Sequence, residues 1–347
     1  MTLATPTAPR RVLLRLGPLA VPLRGRSILV ATVVVGVILV LGIVSLGVGT
    51  YVVAPDAVVR TLLGAGETMD RVVIVEWRLP RTLAAITLGA ILAVAGALFQ
   101  TVTRNPLASP DILGLSNGAF TGMLVALVLV SATWQSLTVG ALVGGVVTAL
   151  VIWMLSYRGG IQGFRLIVIG IGIAAMLASF NTWMLLQIEL ETAMFASAWG
   201  TGTLNAVTGG SLGGALLCAA PFVVVAALLG PSLRQLDLGD DVSAASGARP
   251  NLVRGVALVV GVALVAAATS VAGPVAFVSL AAPQVARLVA RTPHLSLGLS
   301  AAFGALILLA SDLVAQHPVA LPVGVVTVSV GGAYLVLMII LEIRRRA

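Results

Sequence analysis

The sequence predicts an all-α integral membrane protein with about ten transmembrane helices. Of its 347 residues, 59% are hydrophobic and only 9% are charged, and the mean hydropathy is +1.13. A soluble domain carries about 25% charged residues, so this chain cannot cover a water-facing surface. Apolar stretches of about 20 residues, long enough to cross a bilayer, recur along the chain. We therefore treat residues 1–347 as a single transmembrane domain.

Uncharged segments define the expected spans in order. Polar or Gly-Pro breaks divide the longer apolar runs, at Ser131 to Ser136 and near Gly273. A shorter element, broken at Gly209, precedes the sixth span. The ten expected spans are 27–55, 82–103, two within 112–157, 166–188, 212–229, two within 255–289, 295–311 and 321–341.

The arginines predict which side of the membrane each loop faces. Cytoplasmic loops are enriched in Arg. With ten spans and both termini cytoplasmic, sixteen arginines lie inside and only Arg60, Arg71, Arg78 and Arg81 lie outside. The inside set includes the N-terminal segment 1–26 and the loop 231–254. The net charge of +8 is therefore a topology signal, and no nucleic-acid partner is expected.

Composition also excludes several chemistries. All twenty basic residues are Arg, so a lysine-containing phosphate loop, a Schiff base and a pyridoxal site are excluded. The single Cys218 excludes an internal disulfide and a cysteine metal cluster. Two histidines, His294 and His317, cannot form a multi-histidine site. We expect no catalytic residue, metal or cofactor in this chain.

Two alternative functions stay open at this point. Gly114 to Gly118 fits the G-x-S-x-G pattern of serine hydrolases, with Ser116 as the nucleophile, but the segment opens a membrane helix and both histidines lie near span ends. An ion-coupled carrier would need ionisable groups at mid-membrane. Asp312 and Glu342 lie near span ends instead, so the sequence favours neither alternative.

Three polar segments carry more information. Between the second and third spans, Arg104 to Asp111 contains two prolines that forbid a continuous helix. In the loop 231–254, Asp240 and Asp241 follow Gly239 and Gly247 comes six residues later, which predicts a short capped helix on the cytoplasmic side. We interpret it as a docking surface for a cytoplasmic partner. Outside, Arg78 and Arg81 flank Pro80 at the start of the second span, where they could anchor the helix or meet carboxylates of another protein.

In this order, these segments resemble the permease subunits of bacterial ABC importers for iron-siderophores, haem and cobalamin. The resemblance covers the chain from about residue 78 to the C-terminus. Its most specific block runs from R-L-P-R at 78–81 to N-P-L-A-S-P-D-I-L-G at 105–114. Shorter matches are W-G-T-G-T-L at 199–204, L-G-D-D at 238–241, G-P-V-A-F-V-S-L-A-A-P at 273–283 and L-P-V-G-V-V-T at 321–327.

The resemblance implies a type II ABC importer-like permease of the bacterial cytoplasmic membrane. Such a subunit works as a homo- or heterodimer, with two cytoplasmic ATPases that bind ATP and Mg and an extracytoplasmic solute-binding protein above. It implies that Arg78 and Arg81 dock the binding protein. It implies that the fifth and tenth spans and the short helix before Trp199 line the path of a metal chelate, with a ferric siderophore as the base-rate choice. The ATPase-coupling residues would be Leu238, Gly239, Asp240, Asp241, Ala244 and Gly247.

Three positions depart from the family pattern. Gln316 stands where the family usually has an arginine, Ala320 where it has the glutamate of Glu-Leu-Pro, and Gln284 where it has the histidine of Pro-His. The missing arginine predicts weaker or asymmetric docking, which would suit one half of a heterodimer.

Overall fold

A computed structural model describes residues 11–16, 19–157, 163–247, 249–317 and 321–346. In chain order the elements are β1 (Arg11–Leu16), β2 (Leu19–Arg24), α1 (Gly25–Gly47), α2 (Pro55–Leu62), α3 (Thr68–Arg71), a π-helical segment (Val72–Arg78), α4 (Leu79–Thr103), α5 (Leu115–Leu129), α6 (Trp134–Ser156), α7 (Gly163–Gln187), α8 (Leu190–Gly200), α9 (Gly209–Leu236), α10 (Asp240–Ala245), α11 (Pro250–Ala272), α12 (Val278–Ala290), α13 (Leu297–Gln316) and α14 (Val323–Arg346).

Apolar helices coincide with the ten expected segments in the described part of the chain. Seven are long and apolar enough to cross a membrane. The other three, α5, α12 and the described apolar part of α14, are shorter. The number of crossings and the sidedness of the termini stay predictions. Two of the arginines assigned to the cytoplasmic side, Arg10 and Arg158, are not among the residues that the structure describes.

Two features differ from the sequence prediction. The N-terminal segment contains a short antiparallel strand pair, with Arg11 opposite Arg24 and Leu16 opposite Leu19, while the apolar part of the chain is all-helical as expected. The outside segment 56–77, expected to be a polar connection, is largely helical. A continuous helical stretch runs from Thr68 to Thr103, because no Gly or Pro interrupts residues 68–79 and Val73 and Ile74 are buried.

The central helix of the bundle is α4. It packs against α1, α9, α11, α12 and α13, and most of its length is buried. Close approach depends on small residues. A Cβ at Gly89 would overlap the Gly304 backbone of α13, and one at Gly96 would overlap the carbonyl of Ser279. Gly140 and Gly144 of α6 allow a similar close approach, since both lie against the Gly118–Gly122 turn of α5.

The connection from α4 to α5 climbs back into the bundle. Thr103 lies against Gly163, at the start of α7, whereas Gly114 lies against Ala174, eleven residues further along α7. At 1.5 Å per residue, this is a rise of about 16 Å, roughly half of the hydrocarbon thickness. The start of α5 therefore lies deep within the bundle, which explains why this helix has only 15 residues.

Candidate functional site

At the expected outward end of the bundle, Arg81 is held by a buried carboxylate. Its Nε donates to Asp312 Oδ2 at 3.0 Å and its Nη2 to Asp312 Oδ1 at 2.8 Å. Nη1 donates to Asn205 Oδ1 at 2.6 Å. The Asp312 side chain has no solvent exposure and that of Arg81 retains 20%. This bidentate pair fastens α4 to α13 and also reaches the loop before α9.

Arg78 is held differently, by backbone carbonyls. Its Nη1 donates to the carbonyl of Leu46 at 2.8 Å and its Nη2 to that of Tyr51 at 2.5 Å. Leu46 belongs to the last turn of α1, whose carbonyls have no partner within the helix. A cation there also favours the negative end of the helix dipole. Arg78 therefore caps α1.

Both arginines proposed for docking thus have structural partners within the chain. The sequence suggested side chains that leave freely from the mouth of the second span, and the structure instead joins each to another element. Their role in docking a solute-binding protein stays a prediction.

The expected short helix after the sixth span is present as α10. Gly239 precedes it with φ of 104°, Asp240 and Asp241 form its first turn, and Gly247 follows it with φ of 88°. These positive φ values suit glycine. The amide of Gly247 donates to the carbonyl of Ala244 at 3.0 Å and closes the helix. The local structure predicted from the sequence is confirmed, and the coupling role of these residues stays a prediction.

Asp240 fastens α10 to the bundle. Arg254 of α11 donates to both of its oxygens, from Nη2 at 2.5 Å and from Nη1 at 3.0 Å. Arg104, at the end of α4, donates from Nη2 to Asp240 Oδ1 at 2.5 Å and to the carbonyl of Leu236 at 2.9 Å. These hydrogen bonds, that from Arg254 first, lower the pKa of the Asp240 carboxyl below its usual value.

The outer face of α10 differs from its anchored side. Ser243 is buried beneath the helix, whereas Leu238 and Val242 expose 58% and 53% of their surface. Asp241 and Ala244 are also exposed. Leu238, just before α10, and Val242 within it thereby present an apolar pair next to a carboxylate, on a segment held by two arginines, an arrangement suited to contact with another protein.

The position of Asp111 in the fold is one that the sequence did not indicate. The two prolines and the capping groups of 104–111 predict a structured polar turn on the cytoplasmic side, whereas Asp111 lies between the starts of two short helices. Ser116 Oγ, in the first turn of α5, donates to Oδ1 at 2.9 Å. Ser279 Oγ and the Phe277 amide, at the start of α12, reach Oδ2 at 2.8 and 3.3 Å. The feature of the sequence that could indicate this position is an aspartate placed directly before an apolar span.

This geometry bears on both alternative functions. Ser116 is bonded to Asp111, while His294 contacts Asp237 and His317 contacts the carbonyl of Leu313. Neither described histidine therefore serves Ser116 as a base. The Asp111 oxygens accept three N–H and O–H donors, which is the pattern of a satisfied carboxylate and not that of a cation site. Within the described residues, no group of three or more His, Cys, Asp or Glu could hold a metal ion.

Two of the three family departures are placed by the structure. Gln316 Nε2 donates to Asp312 Oδ2 at 2.8 Å, so it supports the Arg81 pair. Gln284 Nε2 donates to Gln100 Oε1 at 2.7 Å between α12 and α4, and its own Oε1 is buried without a partner. Ala320 lies outside the described residues.

Comparison with known proteins identifies the family. The FecCD transport family matches residues 37–341. The ferric enterobactin transport system permease protein FepG of Escherichia coli K12 is 43% identical over 324 residues, 92% of this chain and 98% of that protein. The Fe(3+)-citrate import system permease protein YfmE of Bacillus subtilis 168 is 32% identical, covering 92% of this chain and 97% of that protein.

A solved structure has the same fold. It is described as a metal-chelate type ABC transporter in an inward-facing conformation, and it covers 90% of this chain and 99% of its own, with a TM-score of 0.76 at 21% identity. The family match covers most of the chain, and the described part of the chain contains seven helices long and apolar enough to cross a membrane. The chain belongs to the FecCD transport family and is a multi-pass membrane permease.

Proposed function

We propose that this chain is the permease subunit of an ATP-driven importer that moves a ferric siderophore from a solute-binding protein into the bacterial cytoplasm. The relatives named for ferric enterobactin and Fe(3+)-citrate support the substrate class, and both align over 92% of this chain. The absence of lysine fits a division of labour in which separate ATPase subunits bind ATP and Mg.

The observation that carries the proposal is the geometry of α10. A transporter driven by separate ATPases needs a rigid cytoplasmic contact through which they can move the membrane helices. The arginines that hold Asp240 come from the end of α4 and the start of α11, so α10 is fixed to two helices of the bundle core. Its exposed Leu238 and Val242 are then free for a partner.

A second permease subunit completes the proposed assembly. Of the 25 residues of α7, only Leu166, Gly170, Asn181 and Met184 are buried within this chain. A few others, such as Ile169 and Ile173, pack partly against the core, and the exposed side chains of α7 are available to a second subunit and to lipid. This fits the expectation that the fifth span lines a path between two permease subunits. The complete transporter would then contain two permeases, two ATPases and one binding protein.

The function can be tested by uptake into proteoliposomes. The permease is reconstituted with its permease partner, ATPases and binding protein, and radiolabelled ferric enterobactin or ferric citrate is supplied outside. We expect uptake that requires ATP inside and the binding protein outside. Uptake that follows a proton or sodium gradient without ATP would support the carrier alternative and contradict the proposal.

The role of α10 can be tested with a matched control. Replacing Leu238 and Val242 together by Ser removes the exposed apolar pair and leaves the Asp240 anchor intact. Leu252→Ser on α11 is the control, because Leu252 has the same exposure, 58%, as Leu238. We expect the double variant, and not the control, to lose ATPase co-purification. If the ATPase co-purified equally with the wild type, the double variant and the Leu252→Ser control, α10 would not be the contact.

Docking of the binding protein at Arg78 and Arg81 is a further part of the proposal. Arg81 keeps a partly accessible side chain on the end of the bundle assigned to the outside. Arg78→Glu with Arg81→Glu should abolish binding of the solute-binding protein, whereas Arg71→Glu, an exposed arginine of the same segment, should not. Binding to the wild type should weaken with salt. A folded double variant that still binds the protein would contradict this docking site.

A further inference from the structure

The segment Arg104–Asp111, here called the strut, joins the coupling helix to the interior of the bundle. Its first residue holds Asp240 of α10 and the carbonyl of Leu236. Its last residue accepts hydrogen bonds from the start of α12. The two ends of one short segment are therefore bonded to the proposed ATPase contact and to a helix start within the membrane.

The strut is stiff enough to transmit a displacement. Pro106 and Pro110 fix two of its φ angles. Asn105 Oδ1 accepts from the amide of Leu107 at 2.9 Å, and the carbonyl of Asn105 accepts from the amide of Ala108 at 3.1 Å. Ala108 and Ser109 are almost fully buried. Its restrained dihedrals, internal hydrogen bonds and buried second half favour movement as a unit, although Pro106 and Leu107 are exposed.

The far end of the strut reaches an unusual residue. Phe277 has φ of 68°, a left-handed conformation that is rare for an aromatic residue and costs free energy. Its amide is bonded to Asp111 Oδ2, and its ring lies against Gly331 of α14, where a Cβ would overlap the ring. Next to it, Ser279 lies against Gly96 of α4. Phe277 is thus held between the strut and α14.

We propose that Asp111 is a positioning residue of the transport cycle, through which movement of α10 is passed along the strut to Phe277 and so to α14. The inference rests on the proposed function, which places α10 against an ATPase, and on the expectation that the tenth span, which corresponds to α14, lines the solute path. The carboxylate suits this role because one anion can accept donors from two helix starts, where negative charge is favoured.

Two serines on the same carboxylate provide a matched test. Ser279→Ala removes the shorter of the two bonds between the strut and the start of α12 and leaves only the Phe277 amide at 3.3 Å, whereas Ser116→Ala removes a bond of 2.9 Å to α5, which directly follows the strut. Each variant loses one hydroxyl donor to Asp111, so their melting temperatures should fall by similar amounts. Only Ser279→Ala weakens the proposed transmission, because Phe277 is then held to Asp111 by its amide alone.

The measurement is the amount of ferric siderophore transported per ATP hydrolysed in the reconstituted complete transporter. We expect Ser279→Ala and Asp111→Asn to lower this ratio about fivefold, the effect of one lost hydrogen bond on a two-state equilibrium, and Ser116→Ala to leave it within about twofold. Equal ratios for Ser279→Ala and Ser116→Ala would overturn the inference, even if Asp111→Asn fails to fold. A wild-type transporter without ATP-dependent uptake would instead overturn the proposed function.

Discussion

The two ends of α4 each hold an arginine against a carboxylate, and the two pairs differ in exposure. At its start, Arg81 grips Asp312, whose side chain has no solvent exposure, with Gln316 as an additional donor. At its end, Arg104 shares Asp240 with Arg254, and 48% of the Asp240 side chain is exposed.

The difference in exposure gives the two arginine–aspartate pairs different roles. A buried ion pair depends on both partners, because removing one leaves an uncompensated charge in a medium of low dielectric constant. A half-exposed pair is screened by water and contributes less to folding. The Asp312 pair should therefore act mainly in holding α4 to α13, whereas the Asp240 network fixes α10 and still leaves its outer face accessible.

The largest effect is expected at Asp312. Asp312→Ala leaves Arg81 with Asn205 alone, and the free energy of unfolding should fall by about 3–5 kcal/mol. The control is Asp56→Ala, which breaks the exposed pair with Arg60 and should change the free energy of unfolding by less than about 1 kcal/mol. Both are measured by unfolding in mixed micelles. Replacing Arg81 and Asp312 together by Leu should cost less than Asp312→Ala; a larger cost would contradict this interpretation.

A smaller effect is expected in the Asp240 network. Asp240→Asn keeps the shape of the side chain but weakens the bonds from Arg254, and because the Asp240 side chain is 48% exposed the cost should be at most about 1 kcal/mol. The neighbouring Asp241 is exposed, so Asp241→Asn should change stability by less than about 0.5 kcal/mol. The same unfolding measurement compares the two. If both variants lost stability equally, the anchoring of α10 by Asp240 would be wrong.

Arg78 tests a cap that involves no carboxylate. Arg78→Ala leaves the carbonyls of Leu46 and Tyr51 without their guanidinium donor and should cost about 1 kcal/mol. Arg71→Ala, on the same helical stretch but exposed, is the control and should be neutral within about 0.5 kcal/mol. Hydrogen exchange at the end of α1 should rise in Arg78→Ala only. Unchanged exchange there would show that Arg78 does not cap α1.

Local chemistry explains what the sequence could predict. Apolar length located the helices, and the order of Gly239, Asp240 and Gly247 located both ends of α10, because caps and helix dipoles act over a few residues. Each of these features depends on sequence neighbours or on composition.

Pairing across the fold could not be predicted in this way. Arg81 and Asp312 are 231 residues apart, and only the packing of α13 on α4 brings them together. Asp111 lies deep in the bundle because the connection from α4 to α5 turns back along α7. Prolines in a loop do not indicate such a path. The helical character of 68–79 was missed because charged residues there suggested a connection, whereas buried Val73 and Ile74 hold the segment against the bundle.

The smallest expected effect is the pH dependence of the Asp240 network. The neighbouring arginines lower the pKa of Asp240 in the folded protein, so the unfolded chain binds the proton more readily. Stability from this carboxylate is therefore fully present above its ordinary pKa of about 4 and is lost as the pH falls through the lowered folded value. Because the side chain is half exposed, the contribution should stay below about 1 kcal/mol. The difference in melting temperature between wild type and Asp240→Asn should be constant from pH 7 to about pH 5 and shrink below about pH 4. A difference that grew on acidification would show that the folded state does not favour the charged form of Asp240.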